Sequence, residues 1–367
     1  MRVRTRVTEF LAVGGATLLL LPAAYAVRQI RGVNDSEFAV SFLAYYAAFV
    51  INDPHFAVTY LLFYKNVRLR AFGQEFDTRQ RFRYWIAGFV VPLVLALALG
   101  VALAQRSAFG LGWMIQAMLF LVGWHYVKQG FGVLLVLSAR RGVYFTDKER
   151  IALLAHCISG WLFARANPRD LGRALESDGV IFSSFQHPPG FDRITQACFL
   201  LSGVWVLVVL GLRFKRQLGM PPLSALSGFL VSIWLWTAFS RLEPLLVYVI
   251  PALHSLQYLF FVLLLQRNRA RAESGPPLFR PVSVSVGALA VGSLALGWFL
   301  FRGAPPLLDG AFSNRLERAD IGPTPFLAAI LTFVNIHHYF MDSVIWRREN
   351  PEARFLTARD AALVAGS

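Results

Sequence analysis

Cysteine and charged residues are scarce in this chain of 367 residues. The two cysteines, Cys157 and Cys198, lie in separate apolar stretches, so neither a disulfide framework nor a CxxC metal site is available. Any metal ion would therefore be held by histidine nitrogens and oxygen ligands. Charged residues make up 16% of the chain, whereas soluble proteins carry roughly a quarter. This scarcity of charge argues against a soluble protein.

Short catalytic signatures are also missing. There is no HExxH pair, which argues against a zincin protease, and there is no CxxCH site, Walker A loop or Rossmann glycine fingerprint. The paired HxxHH boxes of membrane alkane hydroxylases and fatty-acid desaturases are absent as well, because residues 335–342 hold a single adjacent histidine pair. No short motif therefore defines the chemistry of this chain.

Long hydrophobic runs are what the chain has instead. Hydrophobic residues make up 56% of it and aromatic residues 14%, and the runs are about 20 residues long, enough to cross a hydrocarbon core of roughly 30 Å. We predict an all-α, polytopic integral membrane bundle that forms a single transmembrane domain over residues 1–367. Ten segments are predicted to span the membrane, near residues 8–27, 38–64, 84–104, 110–138, 150–166, 194–212, 221–240, 244–266, 282–301 and 324–346.

The surplus of basic residues follows the loops. The formal net charge is +15, from 36 Lys and Arg against 21 Asp and Glu, and most basic residues lie in short loops between the apolar runs. This pattern is typical of cytoplasmic loops and argues against a nucleic-acid partner. With ten crossings, both termini are predicted to be cytoplasmic. We expect the protein in the inner membrane of a bacterium, with membrane lipids as its partners.

Separate predictions apply to the first apolar segment, to two loops and to the C-terminal tail. The first apolar segment ends in Pro-Ala-Ala-Tyr-Ala and resembles a signal peptide, but it is long enough to span, so we expect it to be retained. The loops at residues 167–192 and 302–325 are predicted to be outer connections packed on the surface rather than lids. Residues 347–367 are predicted to form a cytoplasmic tail.

A break is predicted in the second apolar segment, at Asn52-Asp53-Pro54. Proline removes a helical donor and clashes with the preceding turn, so the helix should kink or end there. The freed carbonyl groups must then bind neighbouring side chains, water or an ion.

Histidines recur inside four of the even-numbered segments, and ionisable groups at membrane depth usually face a bundle interior and mark a functional site. Three stand alone and two form a pair: His55, His125, His254, His337 and His338. These segments should run in the same direction and hold their histidines at similar depth, so we predict one shared metal site. Neighbours on a helix point about 100° apart, so the pair could serve two partners, or one ligand and one structural contact.

Polar residues at helical spacing accompany these histidines. Asp53 and Asp342 are predicted as catalytic carboxylates, either as ligands or as partners of ligands. Lys128 is also predicted as a catalytic-site residue, a cation that either binds an anionic headgroup at the site or extends toward the interface. Imidazole and carboxylate donors suit iron, zinc, copper or manganese. Three more residues are predicted to orient the cofactor or substrate: Asn335, Gln129 and Tyr258.

Two further histidines are interpreted without a ligand role. His156 is alone in the fifth segment with no carboxylate nearby, so a hydrogen-bonded contact between helices is expected. His187 lies in the first outer loop and is expected to be a solvated surface residue.

The layout of the paired and single histidines resembles that of the bacterial membrane enzymes that cleave β-carotene to retinal. The resemblance rests on His55 after a proline, on His125 and His254 as single histidines, and on the adjacent pair His337 and His338. Those enzymes are polytopic, and their iron is held by single histidines from separate helices. The resemblance is one of layout, without a shared signature, and it implies non-haem iron as the metal.

Three functions are compatible with these features. The leading hypothesis is a metal-dependent membrane oxidoreductase, such as a non-haem iron oxygenase, whose substrate is lipidic or otherwise apolar because the site is sealed from bulk water. A proton- or ion-coupled transporter is the second, since a broken helix and intramembrane His, Asp and Lys residues are features of ion pathways. The third is a b-type haem protein with two axial histidines.

Overall fold

Helices make up nearly all of the structure, as the hydrophobic runs predict. The prediction of an all-α chain is confirmed for the part that the computed structural model describes, namely residues 2–166, 174–183, 187–240, 243–273, 281–312 and 319–357. The elements in chain order are α1 (Arg2–Phe10), α2 (Ala16–Arg31), α3 (Val33–Val50), α4 (Asn52–Tyr64), α5 (Val67–Phe72), α6 (Thr78–Trp85), α7 (Val91–Ala104), α8 (Ala108–Arg140), α9 (Asp147–Ala166), β1 (Ala174–Ser177), β2 (Val180–Ser183), α10 (Phe191–Lys215), α11 (Leu223–Leu230), α12 (Pro244–Glu273), α13 (Val282–Trp298), α14 (Ala304–Phe312), α15 (Pro325–Ile345) and α16 (Arg354–Thr357). Short π-helical turns join α1 to α2, α6 to α7 and α13 to α14, and another follows α11.

Six helical stretches of the described chain are long and apolar enough to cross a membrane, which is consistent with an integral membrane protein. The remaining predicted segments correspond to the pair α3 and α4, to α9, to α11 with its π-helical turn, and to α15. The six stretches are Arg6–Arg31, Thr78–Ala104, Ala108–Arg140, Phe191–Lys215, Leu245–Glu273 and Val282–Phe312.

The break predicted near Asn52 is confirmed. Helix α3 ends at Val50 and α4 begins at Asn52, with Ile51 between them in a non-helical conformation (φ −124°, ψ −60°). Pro54 therefore lies in the first turn of a new helix. Backbone N–H groups in a first turn make no hydrogen bond within the helix, so the missing N–H of proline costs nothing there. The new helix also carries His55 in its first turn, where the side chain is buried.

The four helices that carry the predicted ligands, α4, α8, α12 and α15, are close together. Helix α15 packs against both α8 and α4, and α4 packs against α12. Helix α13 supports the first turn of α4 at close range, since a Cβ atom at Gly297 would lie 2.7 Å from the carbonyl carbon of Asp53. Apolar side chains of α4, α12 and α15 share one buried cluster, which includes Val58, Leu62, Tyr258, Val262, Met341 and Val344.

The described parts of the two loops that are predicted to lie outside, residues 167–192 and 302–325, pack on each other. Strands β1 and β2 form an antiparallel hairpin with Leu175 opposite Phe182. The backbone N–H of Ile181 donates to the carbonyl of Asp320 in the second loop at 3.0 Å, and Phe182 lies directly over Gly112 of α8. The hairpin is therefore attached to both the bundle and the second loop. The rest of these loops, residues 167–173, 184–186 and 313–318, lies outside the described residues.

The second outer loop is shorter than predicted, because residues 304–312 form α14 rather than a loop. Pro305 and Pro306 directly follow the π-helical turn that joins α13 to α14, where the regular pattern of helical hydrogen bonds is interrupted. Asp309 accepts hydrogen bonds from the backbone N–H groups of Phe326 (2.8 Å) and Leu327 (3.2 Å) at the start of α15. These bonds satisfy donors that a helix N-terminus leaves unpaired.

Both ends of the described chain contact helix α12. In the first apolar segment Val13 is buried, and its carbonyl accepts a hydrogen bond from Gln257. Toward the other end, Asn268 donates to the carbonyl of Phe355 at 2.7 Å. The first part of the predicted tail is therefore packed, and residues 358–367 lie outside the described residues.

Candidate metal centre

Four helices bring four histidines to one place, although these residues are far apart in the sequence. Five of the six ring pairs have centroids 4.5–6.5 Å apart. Three of the four residues are at most 2% exposed. The members are His55 of α4, His125 of α8, His254 of α12 and His338 of α15.

Asp342 completes one side of this group. It lies one turn after His338, and its Oδ2 is 3.2 Å from His338 Nε2 and 3.7 Å from His125 Nε2. The two Nε2 atoms are 3.4 Å apart. Ligand atoms of a tetrahedral ion with bonds of about 2.0–2.1 Å are separated by roughly 3.3–3.4 Å. The three atoms therefore form a triangle of the size of one face of a tetrahedral coordination shell.

His55 and His254 form a second set of donors with His125. One ring nitrogen from each of these three residues lies within 4.8 Å of the others, as do the ligand atoms of His125, His338 and Asp342. Because His125 belongs to both sets, the five residues form one continuous group, named the histidine group below. The group could hold a metal ion, and its imidazole and carboxylate donors are those that transition metals accept.

Several ring nitrogens of the histidine group have no hydrogen-bond partner within the described part of the chain. They are both nitrogens of His254, Nε2 of His55 and Nδ1 of His338. An unpaired buried polar atom costs on the order of 1–3 kcal/mol, and such atoms are uncommon in folded proteins. A metal ion would bind those nitrogens that face it. The donors therefore fit a metal better than they fit a purely hydrogen-bonded contact.

The buried carboxyl group of Asp342 has no lysine or arginine partner in the described chain. The residue is 7% exposed, and its ion-pair contacts within the described chain are to His125 and His338 rather than to a lysine or arginine. Tyr258 OH (2.8 Å) and Trp346 Nε1 (3.1 Å) donate to Oδ1, which leaves Oδ2 facing the histidines. Burying a charge without a counter-charge is strongly unfavourable. A cation bound to Oδ2 would supply that counter-charge.

Two hydrogen bonds in series orient His55. The hydroxyl of Ser255 donates to Asn52 Oδ1 at 2.9 Å, so its oxygen accepts from His55 Nδ1–H, also at 2.9 Å. This arrangement fixes the neutral tautomer with a lone pair on Nε2, which is the form that binds a metal. Asn52 and His55 both lie in the first turn of α4, so the helix break positions this pair of bonds.

Tyr258, predicted to orient a ligand, contacts two members of the histidine group. Besides donating to Asp342, its ring centroid lies 4.4 Å from that of His55. Its hydroxyl is also 2.6 Å from Thr59 Oγ1. Trp346 was not among the predicted residues, although its position one turn after Asp342 is the spacing at which side chains on a helix meet.

His337 lies apart from the histidine group, because adjacent residues on a helix point about 100° apart. Its Nε2–H donates to the carbonyl of Ala87 at 3.0 Å, and its Nδ1 accepts from Tyr60 OH at 3.0 Å. Both ring nitrogens are used, so the predicted ligand role does not match this geometry. Asn335, predicted to orient the cofactor, instead donates to the carbonyl of Leu331 within its own helix at 2.8 Å.

Asp53 also points away from the histidine group. Its Oδ2 accepts from Arg302 Nε at 3.3 Å, and the Arg302 guanidinium lies 4.3 Å from the ring centroids of both Tyr45 and Phe49. The carboxylate is thus paired with a cation that is held over two aromatic faces. This geometry is that of a structural ion pair rather than the predicted catalytic role. Arg302 was not predicted, and its place at the end of an apolar run is the signal for it.

Gln129 of α8 contacts helix α12, whereas Lys128 lies at a cavity. Gln129 donates to the carbonyl of His254 (3.1 Å) and to Gln257 Oε1 (2.7 Å), so it connects α8 to the backbone that carries a candidate ligand. Lys128 has its Nζ 5.6 Å from the ring centroid of Trp124. Its side chain lines a cavity beside the histidine group.

This cavity, of about 490 Å³, reaches the histidine group from one side. His125, Tyr258 and Asp342 lie in its wall, so two candidate ligands are accessible from it. Pockets of about 300–1,000 Å³ are typical of small-molecule sites. Much of the remaining wall is apolar and comes from Phe131, Val133, Leu135, Val136, Phe261 and Leu356.

His156 and His187 occupy separate positions. The prediction that His156 makes a hydrogen-bonded contact between helices is confirmed, because Trp234 Nε1 donates to its Nε2 (3.1 Å) and its Nδ1–H donates to Ser202 Oγ (3.0 Å). His187 is half-buried, with its ring centroid 5.3 Å from that of Phe191. It therefore packs on a neighbour in addition to facing solvent.

Comparisons with known proteins give no further information about this site. The case for a metal centre therefore rests on the geometry of the histidine group, and the likeness to carotene-cleaving enzymes stays an expectation from the sequence. No protein-family model, no curated protein and no solved structure matches the chain.

Proposed function

We propose that this protein is a metal-dependent integral-membrane enzyme that acts on an apolar or lipidic substrate. The observation that carries the proposal is a buried group of four histidines and one aspartate, with unpaired ring nitrogens, beside an apolar cavity. Iron is the proposed metal, because the donors suit it and the layout of the histidines points the same way. Bound iron with an open position would supply oxygen activation or Lewis-acid chemistry.

The residues around the metal would have separate tasks. Ser255 and Asn52 hold His55 in the tautomer that binds a metal, and Tyr258 and Trp346 hold Asp342 with one oxygen toward the histidines. Partners of this kind fix the orientation and basicity of metal ligands. The apolar part of the cavity wall would hold the substrate next to His125 and Asp342.

The proposed placement in the membrane follows the charge pattern. Ten crossings, with both termini in the cytoplasm of a bacterium and the chain in its inner membrane, put the short basic loops on the cytoplasmic side. Arg150, Arg347 and Arg348 line the cavity described above and belong to segments that this topology assigns to the cytoplasmic side. The substrate would then reach the site from the cytoplasmic half of the bilayer.

The test is isotope incorporation by the reconstituted protein. Iron-loaded protein would be placed in nanodiscs containing a lipid extract of its host membrane and exposed to labelled oxygen, with products followed by mass spectrometry. We expect labelled products from the wild type and from His156→Ala, whose histidine lies outside the group, and none from His338→Ala. Iron-replete wild type that yields no product beyond that of His338→Ala would contradict the proposed oxygenase.

A proton- or ion-coupled transporter is the second candidate, because the helix break at Ile51 lies beside the buried ion pair of Asp53 and Arg302. Broken helices and buried charges are features of ion pathways. This alternative predicts proton-dependent uptake by vesicles, with loss of uptake in Asp53→Asn. A b-type haem is less favoured, because the histidine rings are packed edge to face at centroid distances near 5 Å, which leaves little space for a macrocycle between them.

A further inference from the structure

The cavity beside the histidine group combines an apolar wall with an excess of basic side chains. Lys128, Arg150, Arg347 and Arg348 line it, while its acidic residues are Asp342, already engaged by the histidines, and Glu349. Glu349 is paired elsewhere, with Arg83 at 3.7 Å. Lys128, Arg150 and Arg348 are exposed and Arg347 is half-buried, so these cations form a basic mouth to a cavity whose remaining wall is largely apolar.

Two of these cations lie close to the metal ligands. Lys128 is one helical turn beyond His125 on α8, and Arg347 follows α15 about a turn beyond Asp342. Lys128 and Arg347 line the same cavity, and neither forms an ion pair with a carboxylate in the described part of the chain. Arg347 Nε does donate to the carbonyl of Ser343 at 2.7 Å, which holds its guanidinium at the cavity.

We propose that the substrate is a single-chain amphiphile with an anionic headgroup, which Lys128 and Arg347 bind while its hydrocarbon chain lies along the apolar wall. The anion would form charge-assisted hydrogen bonds with both cations. The cavity of about 490 Å³ is in the range of sites that hold one small ligand, which favours one chain over a diacyl lipid.

This inference rests on the proposed function only in identifying the bound amphiphile as the substrate. Because both cations lie about one helical turn from a candidate ligand, the carbons nearest the headgroup would lie closest to the metal. The binding itself requires no metal, so it can be measured separately.

The test is binding of oleate compared with oleyl alcohol, which has the same chain and a neutral headgroup. Full-length protein in phosphatidylcholine nanodiscs would be labelled with a photoactivatable oleate analogue, each ligand competing in turn, with empty nanodiscs as background. We expect oleate to compete about tenfold better than oleyl alcohol, as one charge-assisted interaction would give. The labelled peptides should include the cavity wall of α8.

Variants identify the origin of this preference. The double variant Lys128→Gln/Arg347→Gln should reduce the preference for oleate over oleyl alcohol to about twofold or less. The single variant Lys128→Arg keeps the charge and should retain the preference. Lys148→Gln and Arg68→Gln change cations that are exposed, like Lys128, but do not line the cavity, and they should leave the preference unchanged.

Three results would overturn the inference: equal competition by oleate and oleyl alcohol, no competition by either, or stronger competition by the diacyl anion phosphatidic acid. Metal content measured on the same samples keeps the two proposals apart. Loss of the oleate preference with bound metal retained is failure of this inference alone, whereas absence of metal from every sample is failure of the proposed function.

Discussion

Two buried histidine sites in this bundle differ in how their ring nitrogens are used. At His156, Trp234 donates to one nitrogen and the other donates to Ser202, so one neutral tautomer satisfies the whole ring. In the histidine group, four rings meet and several nitrogens have no partner among the described residues. Both sites are buried. Hydrogen-bond satisfaction, rather than burial, therefore separates a structural histidine from a candidate ligand.

The two buried aspartates show the same contrast. Asp53 is neutralised by Arg302, whereas Asp342 faces His125 and His338 without a lysine or arginine partner in the described chain. A buried carboxylate that is already paired with a cationic side chain is expected to be structural. A buried carboxylate that faces histidine nitrogens and has no such partner is a candidate metal ligand. Matched substitutions at the two kinds of site test whether this difference controls metal binding.

The largest effect is expected from Asp342→Asn, which removes the one carboxylate of the histidine group at nearly constant volume. Metal affinity should fall by more than the roughly 10–100-fold that loss of an outer partner costs. The measurement is a competition titration against a metal chelator. Asp53→Asn is the matched control and should lower stability while leaving metal affinity unchanged. Equal losses of affinity in both variants would remove the distinction between the two aspartates.

Tyr258→Phe should have the next largest effect, because it removes the hydroxyl that donates to Asp342 at 2.8 Å. We expect metal affinity to fall about 10–100-fold, measured by the same titration. Tyr60→Phe is the control, since Tyr60 donates to His337 outside the histidine group. Unchanged affinity in Tyr258→Phe would show that Asp342 does not depend on this hydrogen bond.

Ser255→Ala should have a smaller effect on the metal. It removes the acceptor for His55 Nδ1–H, so the imidazole can rotate or change tautomer. We expect metal affinity to fall by about tenfold, at the lower end of the range for such partners. Ser202→Ala removes the corresponding partner of His156 and should leave affinity intact. A loss in Ser202→Ala as large as that in Ser255→Ala would contradict the account.

The smallest effect on the metal is expected from His156→Ala. This change leaves the indole N–H of Trp234 without its acceptor, which should cost about 1–3 kcal/mol of stability and lower the thermal midpoint in detergent. Metal content should equal that of the wild type. A thermal shift with unchanged metal content is the signature of a structural histidine, and a loss of metal would show that His156 belongs to the site.

Much of the fold and part of the site could be predicted from the sequence. The apolar runs predict the helices because a hydrocarbon core requires long apolar segments, and Pro54 predicts the break because of its missing N–H. The recurrence of His55, His125 and His254 within such runs points to the group, since isolated polar residues at that depth are unfavourable unless they meet.

The remaining details depend on helix packing. Adjacent residues on a buried helix both have apolar neighbours, so the sequence does not show that His338 faces the group while His337 faces Ala87. Likewise, Asp53 and His55 share the first turn of α4, and the position of Arg302 decides which way the carboxylate points. The cavity is formed by side chains of several elements and has no signature in any one of them.

Metal analysis by mass spectrometry on purified protein is a direct test of whether the histidine group binds one metal ion. Wild type, His254→Ala and His156→Ala would be expressed with supplemented iron and purified side by side, with folding checked by thermal stability. We predict about one ion per chain in the wild type and in His156→Ala, and nearly none in His254→Ala, since both ring nitrogens of His254 lack a hydrogen-bond partner within the described residues. A metal-free wild type, or equal metal content in all three proteins, would contradict the claim.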